Sequence, residues 1–300
     1  MVSKKSSSNW VLGRSSLRSW GAEKVILRPL LQGPMQAFPG KLLKIRYHLA
    51  VTVHLRWWQI ANLLSLDAPL VAVAWQALLQ QVTGTMLLPA GRWALGLTVW
   101  AIYLADRLLD VRAGRSAPRT ARHEFTRRYW RWMAGLLAVV LGADSVMVIG
   151  MLRAEVMHTG LVAALGVAVY LAVLNMGGER WWFPKEAIVA ALFTAGVFLV
   201  AWTNGPGRRG DLVSLAGGFY AVVLANLLAV ENAEPGRWYG WLLGVFVVGC
   251  AALGEARWWW AVGASGAGLW ALHVARGRVR GEARRLALDV AMLSPLVFLR

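Results

Sequence analysis

Cysteine is almost absent from this chain of 300 residues, since Cys250 is the only one and lies within an apolar segment. A single cysteine excludes an intrachain disulfide and a cysteine metal cluster. Acidic residues are also scarce, with 15 Asp and Glu against 32 Lys and Arg, which gives a net charge of +17. No short apolar segment with a small-residue cleavage site follows Met1, so we expect no signal peptide.

Apolar residues are in excess: they make up 58% of the chain, against about 45–50% in a soluble domain. They form long runs between short polar loops, which is typical of a polytopic membrane protein with helical spans. We therefore expect an all-α bundle of about nine transmembrane helices; eight spans, without the last segment, is the alternative. The predicted spans are residues 62–82, 91–110, 131–151, 156–176, 186–203, 211–230, 239–255, 258–275 and 285–299.

The positive charge has two possible explanations. In a soluble protein it would indicate nucleic-acid binding, but in a membrane protein the positive-inside rule and anionic lipid account for it. We therefore expect anionic membrane lipid, and not nucleic acid, as a partner. Residues 1–58 are basic and Ser-rich, with Glu23 as their only acid. They are predicted to form a mobile arm, with a transit peptide as the alternative, and residues 59–300 the transmembrane domain.

Lysine and arginine are unevenly distributed over the predicted loops. If the N-terminus lies inside, 26 of the 32 fall on the inner side and 6 on the outer side. The positive-inside rule then predicts a multi-pass protein with a cytoplasmic N-terminus. The second and sixth spans both run from outside to inside, so we expect their C-terminal ends at the cytoplasmic face.

Two aspartates close the second span, in the stretch YLADRLLDVRAGR of residues 103–115. A carboxylate in a membrane-length apolar helix costs about 2.5–3.5 kcal/mol on insertion scales. Asp106 and Asp110 also repel each other at i,i+4 spacing and face the negative end of the helix dipole. Three penalties at one place indicate a compensating ligand. Pairing with Arg107 and Arg112 at the membrane surface is the alternative.

A second polar group closes the sixth span, in the stretch ANLLAVENAEPG, which contains Asn226, Glu231 and Glu234. Lys185 and the arginine-rich loop 111–131 lie on the same predicted side. Carboxylates and cations above an apolar bundle suit a diphosphate that is bound through Mg²⁺ and carries a hydrocarbon tail. An ordinary acidic loop is the alternative for the glutamates, and interhelical hydrogen bonding for Asn226.

Three stretches, in order, resemble the UbiA superfamily of intramembrane prenyltransferases. LDAPLVAVAW (66–75) is similar to the L-D-x-P start of that family's first span. ADRLLDVRAGRSAPRT (105–120) is similar to the second half of its N-D-x-x-D-x-x-x-D motif and the basic loop after it. WWFPKEAIVAALFTAGVF (181–198) is similar to its fifth span and the loop before it, with Lys185 at the family's lysine. The resemblance covers the chain from about residue 60 onward and implies a UbiA-like bundle.

Three features depart from the family pattern, and the first is Ser65, which stands where a basic residue often precedes L-D-x-P. Ile102 and Tyr103 stand where the family has its first Asn-Asp, so one metal-binding aspartate is missing. The family's second motif, D-x-x-x-D on the sixth span, is reduced to Asn226, Glu231, Asn232 and Glu234. Because carboxylates are missing from both motifs, one alternative is a non-catalytic lipid-binding or scaffold protein with the same fold.

The resemblance implies transfer of a prenyl group from a prenyl diphosphate to a lipophilic, commonly aromatic, acceptor, with Mg²⁺-assisted departure of diphosphate. A terpene cyclase acting on a prenyl diphosphate is a further alternative. The expected metal ligands are Asp106, Asp110, Glu231 and Glu234, of which the first three are also the expected catalytic residues. The residues expected to bind substrate are Lys185, Arg112, Arg119, Arg122, Asn226 and Tyr103. Aromatic rings that could stabilise a cation by position are Trp75, Trp100, Tyr103 and Trp202.

Overall fold

The long apolar segments form helices. The computed structural model describes residues 63–86, 88–112, 121–177, 185–204, 209–231, 236–252, 257–279 and 281–299, all within one compact unit, Leu55–Arg300. Within these ranges the regular elements are helices and no strand occurs, which confirms the all-α prediction for this part of the chain. The predicted basic arm, 1–58, lies outside them.

The helix bounds follow the apolar runs closely, and eight of the predicted segments each overlap one long helix. The helices are α1 (Asp67–Thr83), α2 (Pro89–Arg112), α3 (Ala121–Arg128), α4 (Trp130–Met151), α5 (Ala154–Gly177), α6 (Lys185–Asn204), α7 (Arg209–Glu231), α8 (Arg237–Ala252), α9 (Arg257–Val274), α10 (Gly281–Ala291) and α11 (Pro295–Phe298), with a 3₁₀ turn at Ala275–Gly277.

Four of these helices are long and apolar enough to cross a membrane, judged by length and composition. They cover Trp130–Met151, Ala154–Leu174, Lys185–Asn204 and Asp211–Val230. Large apolar side chains such as Ile149 and Val162 are exposed on α4 and α5, and extended apolar surfaces of this kind fit lipid better than water. These helices therefore indicate membrane association.

The core is built around Trp75 of α1. Its ring centroid lies 4.8 Å from that of Phe219 on α7 and 5.1 Å from that of Trp258 on α9. Phe198 of α6 joins the cluster, with its ring centroid 5.5 Å from that of Trp258. The indole N–H of Trp75 donates to the carbonyl of Met292 at 2.8 Å, so this buried polar atom is satisfied. The aromatic core thus ties α1, α6, α7 and α9 together.

The segment predicted as the ninth span, 285–299, is not one helix. α10 ends at Ala291, three turn residues follow, and α11 begins at Pro295. Proline has no N–H to bond the carbonyl four residues before it, so the helical hydrogen bonding is interrupted at Pro295, although Ser294 itself keeps helical dihedral angles. The break is bonded to α9, because Ser265 donates to the carbonyl of Ala291 at 2.8 Å and Ser294 to a carbonyl of α9 at 2.7 Å. These bonds hold α10 in the bundle.

Candidate functional site

Side chains of α2 hold the residues that lead into α1. Arg107 Nη1 donates to the carbonyl of Leu63 at 2.9 Å, and Trp100 Nε1 donates to the carbonyl of Leu64 at 2.8 Å. The two donors are two turns apart and therefore lie on the same side of α2. They place Asp67, the first residue of α1, beside the C-terminal half of α2, and its negative charge favours a helix N-terminus.

Three carboxylates from three helices act on Tyr103 of α2. Asp67 of α1, Asp289 of α10 and Asp106 of α2 interact electrostatically with the Tyr103 side chain, as does Arg107. Tyr103 stands at the position where the resemblance lacks its first aspartate. The Tyr103 phenol is therefore under the electrostatic influence of acids from α1 and α10.

The aspartate pair lies on one face of α2, because residues four apart in a helix are neighbours. Asp106 and Asp110 are both half-buried, and both take part in polar or electrostatic interactions with the rest of the chain. Arg107 is only 8% exposed and bonds the carbonyl of Leu63, whereas Arg112 is exposed at the last residue of α2. The end of α2 therefore presents acids and a cation together.

The donor set of α2 suits a hard cation. Mg²⁺ binds one or two carboxylates and completes its shell with water and phosphate oxygens, so Asp106 and Asp110 fit it chemically. Among the side chains that are described, no three His, Cys, Asp or Glu lie grouped as metal ligands. Further protein ligands would have to come from undescribed side chains, which include those of Glu231 and Glu234.

The second half of the predicted site lies on α7. Asn226 is half-buried, and its buried Oδ1 has no hydrogen-bond partner within the described part of the chain. At the neighbouring residue, the carbonyl of Ala225 accepts a hydrogen bond from the hydroxyl of Tyr239 at 2.7 Å. Tyr239 in turn interacts electrostatically with Arg284 of α10. α10 packs against both α1 and α7 and carries Asp289, so it connects the surroundings of Tyr103 with those of Asn226.

Nothing matches this chain among protein-family models, curated proteins or solved structures. The resemblance to the UbiA superfamily depends on the three quoted stretches alone and stays a prediction.

Several predicted site residues lie outside the description. Arg119 and Glu234 are not described, and neither are the side chains of Arg122 on α3 and Glu231 at the end of α7. Lys185 is exposed at the first residue of α6. The meeting of the α2 aspartates with the end of α7 therefore stays a prediction.

The aromatic candidates have different surroundings. Trp75 is fully buried among other rings, and Trp100 is bonded to the carbonyl of Leu64. Trp202 is 41% exposed at the far end of α6. Tyr103 is therefore the aromatic residue of this set that lies beside the described acidic groups.

Sequence reasoning missed the contribution of α10. Asp289 lies in the middle of the segment predicted as the ninth span, and a carboxylate within an apolar span indicates a functional site by default. The sequence therefore carries a signal for Asp289. Asp144 in α4 is likewise a carboxylate within a predicted span, and its Oδ2 accepts a hydrogen bond from Thr98 of α2 at 2.7 Å. Tyr239 and Arg284 carried no such signal, because aromatic and basic residues are common at span ends.

Proposed function

We propose that this protein is an integral membrane prenyltransferase, which binds a prenyl diphosphate through Mg²⁺ and transfers the prenyl group to a lipophilic acceptor. The observation that supports this proposal is the Asp106–Asp110 pair on one face of α2, where acids from two other helices also approach Tyr103. In this proposal α2 spans the membrane, where two carboxylates carry a net cost, and a bound cation offsets that cost.

The proposed enzyme is multi-pass, with its N-terminus and its site on the cytoplasmic side. Four helices have the length and composition of membrane spans. The excess of Lys and Arg in alternate loops supports this orientation. The hydrocarbon tail of the donor lies among the helices, where apolar side chains solvate it better than water does.

In this proposal acidic residues bind the metal ion, and basic residues bind the diphosphate of the prenyl donor. Asp106 and Asp110, with Glu231 and Glu234, would hold Mg²⁺, which supplies neutralisation of the negative charge on the departing diphosphate. Asn226 and Tyr103 contribute hydrogen bonds near the acids. The cations bind the remaining phosphate oxygens; they are Lys185, Arg112, Arg119 and Arg122.

Arg107 has a different task in this proposal. Its guanidinium is buried and donates to the carbonyl of Leu63, so it positions the start of α1 against α2. Its positive charge acts on Tyr103 together with the negative charges of Asp106 and Asp67. Like-charged carboxylates that share a site repel each other, and a nearby cation reduces that repulsion.

Binding of radiolabelled geranylgeranyl diphosphate to the full chain in lipid nanodiscs tests the proposal. We expect saturable binding with Mg²⁺ and none with EDTA. Asp106→Asn and Asp110→Asn should each weaken binding by about tenfold or more, because a contact to a charged group is worth roughly 1.5–3 kcal/mol. Unchanged binding in both variants would refute the site.

Asp211→Asn is the matched control, since Asp211 is exposed in the first turn of α7 and makes the same change of charge. Its affinity should equal that of the unmodified protein. Product analysis then separates the alternatives. A cyclised hydrocarbon formed without any acceptor identifies a terpene cyclase. Binding without diphosphate release from any donor identifies a lipid-binding or scaffold protein.

A further inference from the structure

Polar side chains lie between α1 and α2 at the end of α2 opposite to its aspartates. Nη2 of Arg92 donates to Oε1 of Gln80, which ties the first turn of α2 to the last turn of α1. Gln76 lies one turn before Gln80, on the same side of α1. We call Gln76, Gln80 and Arg92 the Gln–Arg cluster. Arg92 and Asp106 are separated by about 20 Å along α2, from the rise per residue, so the cluster is distinct from the acidic site.

The packing of α1 against α2 places Gln76 inside this interface. A Cβ at Gly96 of α2 would lie 3.2 Å from Cγ2 of Val73 of α1, so the two helices approach each other closely there. Val73, Gln76 and Gln80 share one face of α1, because residues three and four apart in a helix are neighbours. Gln76 therefore lies between two positions that both contact α2, and it is 1% exposed.

Hydrogen-bonding groups of the Gln–Arg cluster are unsatisfied. Among the described residues, neither Oε1 nor Nε2 of Gln76 has a hydrogen-bond partner, and the same holds for the buried Nε of Arg92. Burying such groups without partners is costly. The described partner of Arg92 is the amide of Gln80, so no contact with a carboxylate balances its charge in the described part of the chain. The cluster therefore offers donors, an acceptor and a positive charge.

This combination favours an anion that also carries a hydroxyl group. An anionic oxygen accepts charge-assisted hydrogen bonds from Arg92, and a guanidinium group suits a phosphate in particular. The amide nitrogen of Gln76 can donate to the same anion. An anion without a donor would leave Oε1 of Gln76 unsatisfied, whereas an adjacent hydroxyl group donates to it. A phosphate that carries glycerol has both groups.

We propose that the Gln–Arg cluster binds a glycerol phosphate group, with the phosphate at Arg92 and a glycerol hydroxyl at Oε1 of Gln76. Gln76 and Gln80 are one turn apart, about 5–6 Å between their Cβ atoms, and a glycerol phosphate group spans such a distance. Gln80 and Arg92 are half-buried and Met86 is exposed, so the group enters from the connection between α1 and α2. It belongs either to a phosphatidylglycerol headgroup or to free glycerol phosphate.

This site goes beyond the proposed transferase and does not depend on it. The Gln–Arg cluster shares no residue with the proposed metal and donor sites, and it binds phosphate directly rather than through a metal ion. A measurement with EDTA and without any prenyl donor therefore addresses the cluster alone, and the two proposals can fail separately.

Titration calorimetry of the full chain in dodecylmaltoside micelles with EDTA tests the charge contact, with short-chain phosphatidylglycerol as the probe. Arg92→Gln should weaken binding by about tenfold or more, because it removes a contact to a charged group. Arg153→Gln is the matched control, since Arg153 is exposed between α4 and α5 and the change removes the same charge. Equal weakening in both variants would overturn the proposal, because it would show diffuse attraction to basic residues.

The hydroxyl contact is tested with phosphatidylmethanol, which has the same charge and phosphodiester but no hydroxyl group. The unmodified protein should bind phosphatidylglycerol about fivefold more tightly, the usual effect of one hydrogen bond. Gln76→Met keeps nearly the same volume and should abolish this preference, whereas Gln81→Met, at an exposed position of the same helix, should preserve it. A preference that persists in Gln76→Met, or that is missing from the unmodified protein, would overturn the proposal. This comparison stays valid if Arg92→Gln does not fold.

The source of the phosphate is identified in phosphatidylcholine nanodiscs with glycerol phosphate as the probe. Saturable binding that Arg92→Gln weakens would identify a free phosphate compound as the occupant. Binding of phosphatidylglycerol without binding of glycerol phosphate would identify a lipid headgroup. If the unmodified protein binds neither probe, the proposal is wrong.

Discussion

At the scale of single residues, two neighbours on α1 show how differently a buried polar group can be treated. The indole N–H of Trp75 is bonded to the carbonyl of Met292. Gln76, by contrast, is 1% exposed, and neither its Oε1 nor its Nε2 has a hydrogen-bond partner among the described residues. A buried amide without hydrogen bonds costs several kcal/mol relative to water. Gln76 is therefore a local source of instability in the core.

Gln76→Met should raise the free energy of unfolding by about 1–3 kcal/mol, because it removes the unsatisfied amide and keeps nearly the same volume. Reversible unfolding in mixed micelles measures this change. Gln80→Met is the control on the same helix, since Gln80 accepts a hydrogen bond from Arg92 and its replacement should not stabilise the protein. A loss of stability in Gln76→Met would mean that the amide has a partner.

At the scale of helices, a polar bond between Thr98 and Asp144 joins α2 to α4. Thr98 Oγ1 donates to Oδ2 of Asp144 at 2.7 Å, and Oδ1 of Asp144 is buried without a partner. Asp144 lies within one of the four helices that could cross a membrane. The hydrogen bond from the hydroxyl of Thr98 therefore offsets part of the cost of burying the Asp144 carboxyl group.

Thr98→Val should lower the free energy of unfolding by about 1 kcal/mol, the usual range for a hydrogen bond between membrane helices. Thr203→Val is the matched control, because Thr203 donates to carbonyls of its own helix, those of Leu199 and Val200. It should change stability by less than about 0.5 kcal/mol. Equal effects of the two changes would show that the Thr98–Asp144 bond contributes nothing.

Helix positions were predictable because long apolar runs end at polar or helix-breaking residues. α4 was expected at residues 131–151 and forms at Trp130–Met151. Hydropathy alone does not predict the break after Ala291, although Pro295 signals it. The neighbours of α10 could not be foreseen at all, since periodicity identifies an apolar face but not the helix that covers it. The electrostatic influence of Asp289 on Tyr103 therefore arises from a tertiary arrangement that local sequence does not encode.

At the scale of the whole molecule, polar groups gather at different ends of the helices. The start of α1 and the end of α2 lie together, since Asp67 and Asp106 both act on Tyr103. Arg153, between α4 and α5, donates to Oδ1 of Asn204 at the end of α6 at 3.3 Å. If the chain spans a membrane as proposed, the positive-inside rule assigns the first group to the cytoplasmic side and Arg153 to the outer side.

Labelling with a membrane-impermeant maleimide tests this orientation in a Cys250→Ser background, which removes the only native thiol. The Arg153→Cys variant should react in intact cells. The Arg278→Cys variant, at another exposed loop position, should react only after the cells are opened. The reverse pattern would place the aspartates of α2 on the outer side and would contradict the cytoplasmic assignment.

The central claim is that the aspartates of α2 hold a divalent ion that in turn holds the diphosphate. Electron-nuclear double resonance with Mn²⁺ in place of Mg²⁺ tests it most directly. With geranylgeranyl diphosphate present, the bound Mn²⁺ should show a ³¹P coupling. Asp106→Asn and Asp110→Asn should each weaken the protein-bound signal, while Asp211→Asn preserves it. Absence of bound Mn²⁺ in the unmodified protein, or an unchanged ³¹P coupling in both α2 variants, would contradict the account.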